Sequence, residues 1–161
     1  MVSDGLRDRA WRAAAAVVDP EIPVLTIEDL GVLRDVEIGP DGRVEVSITP
    51  TYSGCPAMNA IALEVELALA RAGLEGRVRT VLSPAWTTAW LSEAGRRKLR
   101  EYGVAPPERA GRGALFGQDA VTCPRCGAAD TEQLSAFGST SCKALWRCLR
   151  CREPFDYFRC H

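Results

Sequence analysis

The clearest alternation of hydrophobic and polar residues runs from Val44 to Thr49, where every second side chain is apolar. A period of two is typical of a half-buried strand. A second strand is predicted over Val32–Ile38, and Gly39-Pro40-Asp41-Gly42 between the two indicates a turn. We therefore expect these two strands to form a β-hairpin.

Helical spacing of apolar residues begins at Met58 and continues to Leu69. The same spacing predicts an earlier helix over Leu6–Val18 and a later one over Ser92–Tyr102, and Arg77–Leu82 has the composition of a third strand. The predicted order is α-β-β-α-β-α. This order favours an α+β domain in which helices pack on a small three-stranded sheet.

The composition of the chain changes along its length, which predicts three regions. The α+β domain is expected over residues 1–103, and residues 104–118, rich in Pro, Gly and Arg, read as a linker. Residues 119–161 contain six of the seven cysteines. We expect this last region to be a small zinc-ribbon-like module, with strands over Thr131–Phe137, Cys142–Arg147 and Pro154–Phe158.

The formal net charge of −1 gives no reason to expect a nucleic-acid partner. No apolar run approaches the roughly 18 residues that span a membrane, and charged residues near the N-terminus interrupt any secretory signal. A cytoplasmic location is therefore expected. The only histidine is His161, which argues against most acid–base hydrolases, and no catalytic residue is predicted.

Two Cys-x-x-Cys pairs, Cys123 with Cys126 and Cys148 with Cys151, carry the most specific signal. Four thiolates in this spacing suit a tetrahedral structural zinc ion, although iron held by the same sulfurs stays an alternative. Four protein ligands leave no open position for a substrate, so a structural role is favoured over a catalytic one. The remaining candidate ligands could instead be packing residues, a second metal site or a redox pair; they are Cys142, Cys160 and His161.

Cys55 stands alone between the second strand and the central helix, directly before Pro56. Proline is favoured at the first helical position, so we expect Cys55 at or beside the helix N-cap, where backbone N–H groups favour a thiolate. The alternative is a small apolar residue packed against the helix start. For Glu21 and Asp29, solvated loop charges are the default expectation.

Several of these residues resemble a known family. Asp19-Pro20-Glu21-Ile22-Pro23, Asp29-Leu30-Gly31, and Thr49-x-Thr51 ahead of Gly54-Cys55-Pro56 resemble the SufT-like domains associated with iron–sulfur assembly. Later motifs extend the resemblance to the PaaD family of the bacterial phenylacetyl-CoA epoxidase system; they are Pro84-Ala-Trp86-Thr-Thr-x-Trp90, the two Cys-x-x-Cys pairs and Phe155-Asp-Tyr-Phe-x-Cys160-His161.

The resemblance implies that Cys55 lies in an exposed patch, near Asp29 and Thr49 or Thr51. It also implies a role in aerobic phenylacetate breakdown, beside a di-iron oxygenase and its flavin and iron–sulfur reductase. One hypothesis is a non-catalytic accessory protein that helps assemble an iron–sulfur or di-iron centre, with Cys55 as a transient metal or cluster ligand. The epoxidase subunits or the reductase would be its partners, and a second copy of the chain could complete the ligand set.

Two alternatives stay open. The chain could be a structural adaptor that docks on the oxygenase through the ribbon and a set of aromatic residues, while Cys55 merely packs; these aromatic residues are Trp86, Trp90, Phe155, Tyr157 and Phe158. It could also be a thiol oxidoreductase, although the Cys-x-x-Cys pairs lack the βαβ context of that class.

Overall fold

The computed structural model describes residues 2–107 and 121–159. These residues form two compact units that divide between Ser92 and Glu93. No helix among the described residues is long and apolar enough to cross a membrane.

The first unit is a three-stranded sheet with two helices. Its elements are α1 (Val2–Ala15), β1 (Leu33–Ile38), β2 (Val44–Ile48), α2 (Met58–Arg71) and β3 (Gly76–Thr80). Strands β1 and β2 are antiparallel neighbours joined by the predicted turn, and β3 lies parallel to β2 on its other side. A parallel neighbour requires a crossover connection, which α2 supplies.

The core of this unit lies between the sheet and the helices. Val44, Val46 and Ile48 of β2 are buried, and Ile61, Val65 and Leu69 of α2 are buried in turn; α1 contributes Ala10 and Ala14. Gly76 of β3 lies close to Leu69 of α2 and to the backbone of β2. A Cβ atom there would lie 2.7 Å from Leu69 Cδ1 and 2.8 Å from the Val44 carbonyl oxygen, so only glycine fits.

The loop between α1 and β1 is held by short-range hydrogen bonds. The Asp19 carboxylate accepts bonds from the backbone N–H groups of Glu21 and Ile22, at 2.7 and 2.9 Å. Further along, the Asp29 carboxylate accepts the N–H of Thr26, whose hydroxyl accepts the N–H of Asp29, both at 3.1 Å. These bonds satisfy backbone groups that belong to no helix or strand.

A tryptophan-rich segment closes over this loop. Trp86 is buried and donates its indole N–H to the Leu30 carbonyl oxygen at 2.7 Å. Trp90 ends a short 3-10 turn, Thr88–Trp90, and the Arg34 guanidinium lies 3.5 Å from the centre of its ring. Gly31 has φ +71°, and a Cβ there would lie 2.5 Å from the Trp90 carbonyl oxygen.

The second unit contains α3 (Glu93–Tyr102) and the strands β4 (Val104–Ala105), β5 (Thr131–Ser135), β6 (Lys143–Cys148) and β7 (Pro154–Phe158). The strands form one sheet in the order β4-β7-β6-β5. Pairing within β5-β6 and β6-β7 is antiparallel, and β4 adds a short parallel edge to β7.

The α+β fold class and the cysteine-rich ribbon are confirmed. Two features of the second unit were not predicted from the hydrophobic pattern. Helix α3 belongs to the same compact unit as the ribbon, and the first two residues of the expected linker form β4, which pairs with β7 of the ribbon sheet. The remainder of that linker, over 108–118, lies outside the described residues. The domain boundaries at 103 and 118 therefore stay a prediction.

Candidate metal centre and the Cys55 loop

The sulfur atoms of Cys123, Cys126, Cys148 and Cys151 all lie within 4.8 Å of one another. The Sγ atoms of Cys123 and Cys151 are 3.8 Å apart, and those of Cys126 and Cys148 are 3.6 Å apart. Tetrahedral coordination at a Zn–S distance of about 2.3 Å places neighbouring sulfurs about 3.8 Å apart. The two pairs thus converge on a single point with the spacing that one tetrahedral ion requires.

Tight turns aim each pair inward. In the first, the Gly127 N–H donates to the Cys123 carbonyl oxygen at 3.0 Å, and Gly127 has φ +76°. In the second, the Arg152 N–H donates to the Cys148 carbonyl oxygen at 3.1 Å, and Arg152 takes the same left-handed conformation at φ 66°. The sequence indicated the first of these turns through its glycine, but an arginine gives no such signal.

Backbone N–H groups also act on the sulfurs. The Cys151 N–H lies 3.4 Å from Cys148 Sγ. This contact is the main cause that lowers the pKa of Cys148 to about 7. The Arg150 N–H lowers this pKa further, whereas burial raises it. The Glu153 N–H lowers the pKa of Cys151, but burial and the neighbouring cluster thiols outweigh it and raise that pKa to about 11. A metal ion binds thiolates, so the binding of an ion by these cysteines releases protons.

The sulfur cluster belongs to the core of the second unit. Cys123 and Cys148 are buried among apolar side chains, and Cys151 packs against them. The other members of this core are Ala105, Val121, Ala128, Ala144, Phe155 and Tyr157, with Trp146 partly buried at its edge. Trp146 and Tyr157 meet edge to face, with ring centres 5.8 Å apart.

The structure gives Cys142 a packing environment. It is buried outside the four-sulfur cluster, and its Sγ lies 3.1 Å from the Thr140 hydroxyl. Cys160 and His161, the other two candidates for extra ligands, lie outside the described residues.

The position predicted for Cys55 needs correction. Helix α2 starts at Met58 and its N-cap is Ala57, so Cys55 and Pro56 form part of a preceding turn. In this turn the Cys55 N–H donates to the Tyr52 carbonyl oxygen at 3.2 Å, and the Met58 N–H donates to the Cys55 carbonyl oxygen at 3.3 Å. Cys55 is half-buried, and so it is not part of the buried core.

The electrostatic effect on Cys55 is also opposite to the predicted one. Burial raises the pKa of the Cys55 thiol, and the carboxylates of Glu21 and Asp19 raise it further. The Ala57 N–H and Tyr52 lower this pKa, as expected near a helix start, but they do not compensate. The protein surroundings therefore disfavour the thiolate form of Cys55.

The residues expected to support Cys55 differ in their burial and in their effect on the thiol. Glu21 acts on its thiol through charge, as does Asp19, which sequence reasoning did not select; the Asp-Pro pair that opens a turn was the available signal. The expectation of solvated loop charges is wrong for Asp29, which is 8% exposed and hydrogen-bonded within its own turn. Thr49 is buried and its N–H donates to the Val32 carbonyl oxygen, whereas Thr51 is partly exposed.

The aromatic docking surface expected for an adaptor is wrong in its residues. Trp86, Phe155, Tyr157 and Phe158 are between 2% and 6% exposed, so they serve the core. Trp90 is partly exposed but is covered on one face by Arg34. Among the described residues of the ribbon, the exposed aromatic side chain is instead Phe137, at 64%.

Two known families match the chain in succession. The family described as iron–sulfur cluster assembly protein matches residues 7–83, and the family described as PaaD zinc β-ribbon domain matches residues 107–159. A relative from Escherichia coli K12, provisionally named as a subunit of 1,2-phenylacetyl-CoA epoxidase, is 47% identical over 93% of this chain and 90% of its own. The chain belongs to the PaaD family.

Other relatives of this PaaD-family chain match its first part. The Bacillus subtilis Fe–S protein maturation auxiliary factor YitW is 35% identical, and the alignment covers 61% of this chain and 97% of that protein. A Porphyromonas gingivalis protein of the same description is 34% identical, over 55% of this chain and 85% of its own. A crystal structure of the Bacillus anthracis DUF59 domain superposes with a TM-score of 0.57 at 25% identity, covering 62% of this chain and 95% of that domain.

Proposed function

We propose that this chain is a non-catalytic accessory protein that assists assembly of an iron–sulfur or di-iron centre in the phenylacetyl-CoA epoxidase system. The observation that carries the proposal is the match, over 93% of this chain, to a protein provisionally named for that epoxidase, in a chain whose first part resembles Fe–S maturation factors. Partners are then the epoxidase subunits or the reductase that serves them.

Cys55 is the residue we propose as a transient metal or cluster ligand. Its half-buried thiol lies on a loop between a strand and a helix, outside the four-sulfur cluster. Because its surroundings raise its pKa, the free thiol is protected from unwanted reactions, and a bound cation would be needed to stabilise the thiolate. One sulfur under-ligates any cluster, so further ligands must come from a client or from a second copy.

For the ribbon we propose a resident structural zinc ion, held by Cys123, Cys126, Cys148 and Cys151. The sulfur spacing supports one tetrahedral ion, and the match to a zinc β-ribbon family favours zinc over iron. Four thiolates fill the tetrahedral positions, so the ion would stabilise the fold and would not bind substrate.

The role of Cys55 is tested in a strain that depends on phenylacetate for growth. The variant Cys55→Ser should abolish growth on phenylacetate while the purified protein keeps its fold and its ribbon metal. Ser53→Ala, an exposed change in the same loop, is the matched control and should grow normally. Normal growth of the Cys55→Ser strain would rule out this role for Cys55.

The metal assignments are tested on anaerobically purified protein. We expect zinc in equal molar amount to the chain in both the native protein and Cys55→Ser, with iron and acid-labile sulfide only in the native protein. Zinc without acid-labile sulfide under all conditions would argue against direct transport of a cluster by this chain. The metal content of the epoxidase centres in the mutant strain would then show whether the chain still has an accessory role.

A further inference from the structure

Helix α2 is apolar on two opposite faces. Its inner face carries the buried residues Ile61, Val65 and Leu69. Its outer face carries a second stripe, Ala60, Leu63, Leu67 and Ala70, in which all four side chains are exposed; Leu63 is 57% and Leu67 40% exposed. A surface helix of a folded domain ordinarily has charged or polar residues at these positions.

The spacing of this outer stripe has a specific geometry. Successive members lie three, four and three residues apart, which is the alternation of a heptad seam. Such a seam suits packing against another helix along the helix axis. The alanines at both ends of the stripe would let the backbone of a second helix approach closely, and the two leucines between them would fill the space at the centre of the contact.

The charged residues beside the stripe determine which charges a partner helix should carry. Glu64 flanks it on one side and Glu66 on the other, both at the level of its midpoint between Leu63 and Leu67. Within residues 2–107 and 121–159, neither glutamate forms an ion pair with a basic side chain; Glu66 accepts the N–H of Val78 at 3.4 Å. Arg71 is the basic residue at the end of this helix.

A second copy of the chain would pair poorly here. In a two-fold antiparallel pair centred on the stripe, Glu64 would approach its own equivalent, and so would Glu66. In a parallel pair, Glu64 of one copy would face Glu66 of the other, and both arrangements of like charges cost free energy. An anionic membrane surface is disfavoured by the same two carboxylates.

We propose that the outer face of α2, defined by Ala60, Leu63, Leu67 and Ala70, docks an amphipathic helix of a partner protein whose apolar seam is flanked by lysine or arginine. Only four side chains form the apolar part of this face, and two of them are alanines, so we expect the association to be transient. This inference concerns a different surface from Cys55 and does not depend on the role proposed for that thiol.

The test uses three synthetic helical peptides of equal length with the full-length protein. One has a leucine seam flanked by lysines, one has the same seam flanked by glutamates, and one contains the residues of the first in scrambled order. Binding is measured by fluorescence anisotropy at low and at physiological salt. We expect the lysine-flanked peptide to bind at least about tenfold more tightly than the other two, and more weakly as salt increases.

Variants locate the binding face. The double variant Leu63→Gln, Leu67→Gln should weaken binding at least about tenfold, because it removes the two central apolar contacts. Leu82→Gln changes a leucine that is equally exposed, at 59%, but outside α2, and should bind like the native protein. Glu64→Lys keeps the seam and should shift preference toward the glutamate-flanked peptide.

Three results would overturn the proposal. Equal affinity for the lysine-flanked and the scrambled peptide would show that charge attraction alone causes binding and that the apolar seam of the peptide does not contribute. Unchanged binding by the double leucine variant would place the site elsewhere. A stable dimer in sedimentation velocity that dissociates in the double variant would show that a second copy covers this face.

Discussion

The four-sulfur cluster leads to the sharpest prediction: removing the ribbon metal should unfold the second unit and leave the first unit folded. Without an ion, the apolar cluster around the four cysteines consists of six side chains, of which three are alanines; Leu99, Val104 and Phe158 are buried outside this cluster. The three large members of the cluster are Val121, Phe155 and Tyr157. At roughly 1.5–3 kcal/mol each, their burial contributes about 5–9 kcal/mol.

Metal binding is the larger contribution. Structural zinc sites in isolated peptides contribute about 10–16 kcal/mol near neutral pH, which is comparable to the whole stability of a typical domain. The first unit has no such dependence, because its core is built from apolar side chains such as Val46, Ile61 and Leu69. Two units of one chain should therefore respond differently to the same chelator.

The assay is hydrogen–deuterium exchange with mass spectrometry on the full-length protein, before and after chelation under reducing conditions. We expect amides of β6 and β7 to lose protection on chelation, while amides of β1 and β2 retain it. Cys148→Ser should reproduce the chelated pattern. The matched control Cys142→Ser, a buried cysteine outside the cluster, should keep both the metal and the protection.

A metal-free protein in which β6 and β7 remain protected would refute this reasoning. It would mean that apolar packing alone holds the second unit. If amides of β1 and β2 also lost protection on chelation, the assumption that the two units have independent cores would be wrong.

Three further predictions concern the first unit. Gly76→Ala should lower the free energy of unfolding by about 1–3 kcal/mol in urea titrations, because its methyl group would overlap Leu69 and the β2 backbone. Gly31→Ala should cost at least as much, since it combines φ +71° with a clash. For Cys55, whose pKa is raised, the midpoint of the iodoacetamide rate against pH should exceed 9.0, and Glu21→Gln should lower that midpoint.

Gly5→Ala is the control for the two glycine variants. Gly5→Ala places a methyl group in open space on an exposed part of α1 and should stabilise by up to about 1 kcal/mol. Gly76→Ala proving as stable as Gly5→Ala would contradict the proposed overlap. For Cys55, alkylation is followed on its own peptide by mass spectrometry, and an unchanged midpoint in Glu21→Gln would show that this carboxylate does not act on the thiol.

Patterns confined to one segment predicted the fold well. The alternation in β2 predicted its bounds to within one residue, because successive side chains of a strand lie on opposite faces of the sheet. The strand expected over Pro154–Phe158, as part of a zinc ribbon, also has the bounds of β7. The two Cys-x-x-Cys pairs predicted the four-sulfur cluster because each pair needs only a local turn to aim both sulfurs.

Properties that depend on distant neighbours were not predictable in this way. The pKa of Cys55 is raised by burial and by two carboxylates more than thirty residues earlier in the chain, whereas local reasoning weighed only the helix start. Composition did not distinguish core aromatic residues from a docking surface, because amphipathic aromatic side chains suit both. For Asp29, hydrogen bonds within its turn made burial tolerable for a carboxylate, and composition alone does not reveal such bonds.

The two sulfur sites differ in a way that constrains any accessory role. In the ribbon, four thiols already meet at one point, so an ion held there has its full ligand set and little reason to leave. Cys55 offers a single thiol with a raised pKa, so any ion it binds must gain its other ligands from outside and loses them when that partner departs. If this chain passes a metal or cluster to another protein, transfer should therefore proceed at Cys55, and the ribbon metal should stay in place throughout the exchange.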